Sequence, residues 1–176
     1  MNNLNYINDD ILNVLNGIIL HGVNCRGVMG AGLAKQLRDK YPELYPAYQA
    51  FCSRYEPTEL PGKNHYFMVT LTPYLVIANG FTQIDYGRPK PGIKYAIPQA
   101  IRECLWKIPK DFKGSQTHSI AMPEIGCGLG GLDWNMDVRP IAEEFCNEFP
   151  EWSVYVFIGQ NKSRESSDSN LEPFIY

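Results

Sequence analysis

Two glycine-rich segments have the composition of loops that bind anions through backbone amides. One lies within residues 24–33 and the other within residues 125–131, and each follows an apolar run and precedes a helical pattern. Glycine lets the backbone approach a ligand closely, and a helix N-terminus offers unpaired N–H groups with a partial positive charge. Two such loops at the carboxyl ends of neighbouring parallel strands would form one crevice suited to a diphosphate. A plain turn role for the glycines is the alternative.

His21 and Asp133 are the side chains beside these segments that best suit acid–base chemistry. The ordinary histidine pKa of about 6.5 suits proton transfer or nucleophilic attack on a phosphate monoester. His21 also follows the apolar run Ile18–Leu20, so a buried structural histidine fits the pattern nearly as well. Asp133 directly precedes a helical pattern, where it could cap the helix instead of taking part in catalysis.

The five cysteines indicate neither a disulfide framework nor a zinc site. Their number is odd, their spacing is wide and no C-x-x-C pair occurs, which is typical of a chain in a reducing cytoplasm. They also exclude a cysteine phosphatase, because its C-x5-R spacing needs an arginine where Ala31 follows Cys25 and Asp133 follows Cys127. The three histidines are too scattered to form a ligand motif by themselves. We therefore predict no metal and no cofactor.

Composition limits the classes of protein and partner. The 176 residues are 44% hydrophobic, which is enough for one core, and the formal net charge is −3. No Lys/Arg cluster occurs, which argues against charge-driven binding of nucleic acid. No apolar run approaches the roughly 18 residues of a membrane-spanning helix, so we expect no membrane partner. We expect a cytoplasmic protein and a monomer.

Strands and helices alternate along the chain. Apolar runs predict strands near residues 3–8, 17–20, 65–71, 74–79, 119–122 and 154–158. Helical spacing predicts helices from residue 33, over residues 93–106 and up to about residue 149. This order predicts an α/β domain of three layers, α/β/α, around a central mixed, mostly parallel sheet. The predicted domain is residues 1–161, followed by a Ser-rich tail at 162–176 whose last residues could dock on the body.

Several stretches together resemble the macro domain family. They are Asp10-Ile11, Val23-Asn24, Met29–Ala34, Tyr95–Ile101, Pro123–Trp134 and Val154–Ile158. The stretch from Pro123 to Trp134, PEIGCGLGGLDW, is the most specific of them, and the resemblance covers roughly residues 6–160. It implies the three-layer fold and the binding of ADP-ribose or a related metabolite.

The resemblance also implies a role for each part of the crevice. Asp10 and Ile11 would contact adenine, and Phe157 is a candidate for stacking on its ring. Asn24 would hold the hydroxyls of the distal ribose, unless it is only a turn asparagine. The amides that would bind the diphosphate belong to Val28, Met29, Gly30, Ala31, Gly32 and Leu33 in the first loop and to Ile125, Gly126, Cys127, Gly128, Leu129 and Gly130 in the second.

Within the family, residues 21–27 are most similar to the branch of the yeast ADP-ribose-1″-phosphate phosphatase. That branch has a histidine just before the asparagine and an aspartate in the second loop, which would be His21 and Asp133 here. The resemblance therefore implies a hydrolase that converts ADP-ribose-1″-phosphate to ADP-ribose and phosphate. Because no metal-ligand set is visible in the sequence, we expect metal-independent activity.

A second branch removes ADP-ribose from protein side chains or DNA bases with a lysine that follows a threonine. Here Thr82-Gln83 stands at that place, and the nearby Lys90 and Lys94 do not match the motif. The alternatives are thus an ADP-ribosyl hydrolase acting on protein or nucleic acid, and a non-catalytic ADP-ribose reader. Nucleic acid would then be a partner only as an ADP-ribosylated substrate.

Overall fold

Six strands form one mixed sheet in the computed structural model, which describes residues 3–88 and 90–159. The strands are β1 (Leu4–Ile7), β2 (Gly17–Asn24), β3 (Asn64–Leu71), β4 (Tyr74–Gln83), β5 (Ser119–Pro123) and β6 (Ser153–Phe157). Their order is β1-β6-β5-β2-β4-β3, and all neighbours are parallel except the antiparallel pair β3–β4. The predicted mixed, mostly parallel sheet is confirmed. The end of the predicted domain and the tail at 162–176 lie outside the described residues.

In the described part of the chain, four α-helices cover the two faces of the sheet. They are α1 (Gly32–Lys40), α2 (Leu44–Cys52), α3 (Pro98–Asp111) and α4 (Arg139–Glu148). Helices α1 and α2 pack with one apolar layer of the sheet, and α3 and α4 pack with the other. The run Ile18–Leu20 supplies both layers from β2, because successive side chains of a strand point to opposite faces. This gives the predicted α/β/α architecture.

Two helix starts differ from the sequence prediction. The helix predicted over residues 93–106 begins only at Pro98, because the preceding residues pair with β4. Ala96 bridges to Gln83, and the Ile97 amide donates to the Thr82 carbonyl over 2.8 Å. After the second glycine loop, a π-helical turn at Trp134–Val138 comes before α4. Pro140 then lies in the first turn of α4, as its missing amide requires.

None of the helices formed by the described residues is both long enough and apolar enough to span a membrane.

Candidate ligand-binding cleft

A continuous cleft of about 980 Å³, lined by described residues, runs along the carboxyl edge of the parallel strands. The strand order fixes the sequence of groups along it. Asp10, Ile11 and Phe157 lie at the β1–β6 end, the second glycine loop follows β5, and the first follows β2. Thr82 and Gln83, at the end of β4, form the other end. Four interstrand spacings of about 4.8 Å make this edge roughly 19 Å long, which suits an extended ligand.

The first loop is held in shape by the side chain of Asn24. Its Oδ1 accepts from the amides of Arg26 at 3.0 Å and Val28 at 3.3 Å, and its Nδ2 donates to the Val28 carbonyl at 2.6 Å. The buried Tyr48 hydroxyl donates to the Asn24 carbonyl at 2.6 Å. Asn24 ends β2 without a positive φ, so it is not a left-handed turn residue. An Asn amide has two N–H groups, so one remains available to a ligand.

Helix α1 presents its first turn to the cleft. Its N-cap residue, Ala31, makes no side-chain hydrogen bond to the helix, so the first amides lack a side-chain acceptor. Val28 and residues 30–33 line the cleft. Met29 does not, because its side chain is buried in the core. The structure therefore does not place Met29 in the cleft as predicted, and the amide of Val28 is already paired with Asn24 Oδ1.

The second loop is held mainly by backbone hydrogen bonds, with one further bond from the Cys127 thiol to the Ile125 carbonyl at 3.5 Å. The Gly130 carbonyl accepts from the amides of Tyr95 at 2.9 Å and Ala96 at 3.0 Å, and the Leu132 amide donates to the Gly126 carbonyl at 3.0 Å. Gly126 has a φ of +79°, a region that favours glycine. All six residues from Ile125 to Gly130 line the cleft.

Asp133 lies outside the cleft lining. Its side chain is exposed, and its Oδ1 accepts from the Met136 amide at 2.8 Å, which caps the π-helical turn. The structure therefore places Asp133 in the capping position that the sequence left open, and it does not bring the carboxylate into the cleft beside His21. Because this helix start is already capped, the second loop has only its own backbone amides to offer. Two of the predicted donors are already paired, since the Ile125 amide donates to the Pro123 carbonyl at 2.7 Å and the Cys127 amide to the Glu124 carbonyl at 3.0 Å.

His21 lies at the cleft but is almost completely buried. Its Nε2 is 2.6 Å from Asn79 Oδ1. Its Nδ1 has no hydrogen-bond partner among the described residues. Burial lowers the pKa of His21 to about 4, against the opposing effect of the Asn79 hydrogen bond. At neutral pH the ring is therefore uncharged and can accept a proton but has no second proton to donate.

Thr82 is a cleft residue that the sequence indicates only as the neighbour of the missing lysine. Its Oγ1 is buried and has no hydrogen-bond partner in the described part of the chain. A Cβ at Gly22 would lie 2.6 Å from this oxygen, so glycine is needed there. Other lining residues that the sequence did not reveal are Asp9, Gln36, Gln83, Tyr86, Arg88 and Glu124. Asp9, Tyr86, Arg88 and Glu124 come shortly after strand ends, which is the signal that could have found them, whereas Gln83 is the last residue of β4 and Gln36 lies within α1.

Charged side chains do not make this cleft attractive to anions. Its described lining contains three carboxylates, those of Asp9, Asp10 and Glu124, and one cation, Arg88. No lysine belongs to this described lining: Lys90 and Lys94 line a separate cavity of about 280 Å³, and Lys94 Nζ is 2.8 Å from Asp137. Among residues 3–88 and 90–159, no three His, Cys, Asp or Glu side chains cluster as a metal site would require. Any anion must therefore bind mainly through backbone and neutral side-chain dipoles.

Substitution of Gly130 tests the backbone packing of the second loop. A Cβ there would lie 2.5 Å from the Gly126 carbonyl oxygen and 2.7 Å from Ala96 Cβ, whereas a Cβ at Gly128 meets nothing within 4 Å. We expect Gly130→Ala to lower the free energy of unfolding by about 1–3 kcal/mol, and Gly128→Ala to change it by less than about 0.5 kcal/mol. Urea unfolding measures both, and equal stabilities would contradict this packing.

The lowered pKa of His21 predicts a loss of stability in mild acid. The unfolded chain binds a proton below about pH 6.5, whereas the folded chain resists it down to about pH 4. The contribution of neutral His21 to stability is therefore fully present above the unfolded pKa, and it is lost as the pH drops from about 6.5 towards 4. We expect preferential protonation of His21 in the unfolded chain to make the free energy of unfolding about 2 kcal/mol lower at pH 5 than at pH 7.

Urea unfolding of the wild type and of His21→Gln at these two pH values measures this effect. In His21→Gln, most of the difference in the free energy of unfolding between pH 7 and pH 5 should be absent. The remainder is expected from His65, whose pKa burial also lowers. An unchanged difference in His21→Gln would show that His21 is protonated normally in the folded chain.

The chain is similar to proteins named for two different reactions. The DNA ADP-ribosyl glycohydrolase of Mycobacterium tuberculosis is 27% identical over 171 residues, which cover 92% of this chain and 44% of that protein. The ADP-ribose 1″-phosphate phosphatase of Saccharomyces cerevisiae is 27% identical over 184 residues, which cover 88% of this chain and 99% of that protein. Sequence identity therefore does not favour the phosphatase branch over the glycohydrolase. The chain spans less than half the length of the glycohydrolase.

The fold and the family are established by two further similarities. The solved macrodomain of Mycobacterium tuberculosis DarG superposes with a TM-score of 0.74 at 27% identity, covering 88% of this chain and 97% of that one. The profile of the family described as Macro domain matches residues 20–141, which is well over half of the chain and includes both glycine loops. The chain belongs to the macro domain family.

Proposed function

We propose that this chain binds ADP-ribose along the cleft and hydrolyses ADP-ribose-1″-phosphate to ADP-ribose and phosphate. The observation that carries the proposal is the order of groups along one continuous cleft. Asp10, Ile11 and Phe157 lie at one end, the two amide-rich loops lie in the middle, and Asn24 and Thr82 lie towards the other end. Adenine, diphosphate and distal ribose follow one another in the same order in an extended ADP-ribose.

The amides of the two loops supply the attraction for the phosphates. Unpaired amides at the start of α1 carry partial positive charge towards the cleft. Fixed N–H groups of this kind stabilise charge on a transferred phosphoryl group without reorganising. The remaining N–H of Asn24 can donate to a ribose hydroxyl. Glycines at positions 30 and 32 leave the backbone accessible there.

His21 is the candidate catalytic base of the reaction. A water molecule would attack phosphorus, His21 Nδ1 would take one of its protons, and the bond from phosphorus to the anomeric oxygen would break. The anomeric oxygen would then take a proton from solvent. The neutral ring is the form that accepts a proton, and its low pKa makes it a weaker base than an ordinary histidine. The alternative role of proton donor at neutral pH does not fit a pKa of about 4.

A lysine-dependent ADP-ribosyl hydrolase is the second candidate, because the Mycobacterium tuberculosis glycohydrolase is as similar as the yeast phosphatase. The cleft itself argues against that mechanism. Gln83 stands where the lysine would be expected, and Lys94 is paired with Asp137 next to the separate cavity. A non-catalytic reader is the third candidate, and it would bind ADP-ribose in the same cleft without hydrolysing a substrate.

Asp10→Asn tests the adenine end of the cleft. Asp10 Oδ1 already accepts from the Leu12 amide at 2.9 Å, so an asparagine can keep this cap while turning its NH2 group towards the adenine amino group. We expect ADP-ribose affinity to fall about 10- to 100-fold with no change in melting temperature. Calorimetric titration measures the affinity. The hypoxanthine analogue, which lacks the amino group, serves as the control. Its affinity should differ little between the wild type and Asp10→Asn.

His21→Gln tests the catalytic end, with His118→Gln as its matched control. His118 is exposed and packs on Trp152 outside the cleft lining. We expect phosphate release from ADP-ribose-1″-phosphate to fall about 100-fold or more in His21→Gln and to stay unchanged in His118→Gln. Asp133→Asn keeps the capping oxygen, so its rate should stay within about threefold of the wild type.

The same assays separate the other functions. A large loss of rate in a normally folded Asp133→Asn would return Asp133 to the catalytic pair. ADP-ribose binding without phosphate release, together with loss of the label from ADP-ribosylated protein or DNA, would favour the glycohydrolase. Binding without either reaction would indicate a reader, and the absence of binding would reject the proposal as a whole.

A further inference from the structure

Three polar side chains cross the sheet in one row beneath α1 and α2. His21 on β2 is in register with Asn79 on β4, and Asn79 is in register with His65 on β3. Asn79 is completely buried. Its Oδ1 lies 2.6 Å from His21 Nε2, and its Nδ2 lies 2.9 Å from His65 Nδ1. One amide thus joins a histidine of the cleft to a histidine of the edge strand.

The direction of each hydrogen bond in the row follows from the chemistry of the amide. A carboxamide oxygen can only accept and its nitrogen can only donate. With the Asn79 amide in this orientation, His21 carries its proton on Nε2 and His65 accepts at Nδ1. In a neutral imidazole this leaves His21 Nδ1 with a free lone pair. This Nδ1 is the buried atom without a partner among the described residues.

The surroundings of the row keep both rings uncharged. Apolar side chains of β2 and β4 flank it, and the Phe51 ring lies 5.1 Å from the His65 ring. Arg54 is the charged group that acts on His65, and like burial it lowers the pKa of that ring. Burial is the main influence on the pKa of His21, and no charged side chain contributes in the described part of the chain. The amide of Asn79, which joins the two rings, is neutral and adds no charge to the apolar layer between the sheet and helices α1 and α2.

We propose that Asn79 and His65 are positioning residues that hold His21 in a single neutral tautomer and thereby make Nδ1 its proton acceptor at the cleft. His65 fixes the amide of Asn79, and Asn79 fixes the ring of His21. The use of Nδ1 in hydrolysis rests on the proposed function, whereas the placement of the proton on Nε2 does not. An amide turned the other way would reverse both hydrogen bonds, so the two arrangements are distinguishable.

The first experiment reads the tautomer directly in the full chain. Long-range 1H–15N spectra of histidine-labelled protein at pH 7 report which ring nitrogen of His21 carries the proton. We expect a proton on Nε2 and none on Nδ1, and we expect ADP-ribose to shift the Nδ1 resonance of His21 but not the resonances of His118. A proton on Nδ1, or on both nitrogens, would overturn the inference. So would an Nδ1 resonance that saturating ADP-ribose leaves unmoved.

Variants of the row provide the second experiment, with phosphate release as the readout. Asn79→Asp keeps an acceptor for His21 but adds a negative charge, so the acid limb of the kcat profile should move to higher pH by one unit or more. A merely structural role of the row would not move that limb. Asn79→Ala should lower kcat at least 10-fold with KM within about threefold of the wild type.

His65 supplies a conservative pair in case the Asn79 variants do not fold. Gln at position 65 can still accept from Asn79, whereas Leu cannot. We therefore expect His65→Gln to keep several-fold more activity than His65→Leu at equal melting temperature. Equal rates in these two variants, with an unmoved pH profile in Asn79→Asp, would overturn the positioning role.

The outcomes separate this inference from the proposed function. If no substrate is turned over but the tautomer and the response to ADP-ribose are as expected, the hydrolase proposal fails and the proton placement stands. If phosphate is released but the tautomer is reversed, only the inference about Asn79 and His65 fails.

Discussion

The cleft depends on a close backbone contact between Gly130 and the segment that precedes α3. The Gly130 carbonyl accepts two amide hydrogen bonds, from Tyr95 and Ala96. There is no room for a side chain, because a Cβ would lie 2.5 Å from the Gly126 carbonyl oxygen. Ala96 is in turn bridged to Gln83, at the end of β4. A continuous set of backbone hydrogen bonds therefore connects the second loop to the sheet, and its shape does not depend on the rotamers of long side chains.

The first loop reaches the same place by different means. The Cys25 amide donates to the Ile84 carbonyl at 3.0 Å, and the Cys25 thiol donates to the Gln83 carbonyl at 3.2 Å. The side chain of Asn24 then fixes the turn itself. Both loops are thus attached to residues 82–84, and the cleft opens between the two loops. Preformed walls of this kind reduce the entropy that a ligand must overcome on binding.

The sequence alone predicted the strands, the layers and the two loops, because these follow from local periodicity and from glycine spacing. It did not predict that Ala96 and Ile97 pair with the end of β4 and delay the helix to Pro98, since that strand end lies more than ten residues away. For Asp133 and Asn24, residue type allowed both a capping or turn role and a ligand role, and only the backbone around them decides. Asn79 was missed altogether, because its contact with His21 spans 58 residues and depends on strand register.

The pattern of charge in the cleft is consistent with this reliance on backbone geometry. Carboxylates outnumber cations in the described lining, and the nearby Arg26 is paired with Asp85 at 2.6 Å. Attraction of a diphosphate must then come from amide dipoles, which act over short distances and only along fixed directions. Such a cleft distinguishes ligands by the position of their phosphates rather than by their total charge. A neutral His21 belongs to the same design, because an imidazolium buried at the cleft would need a counter-charge that the sheet does not provide.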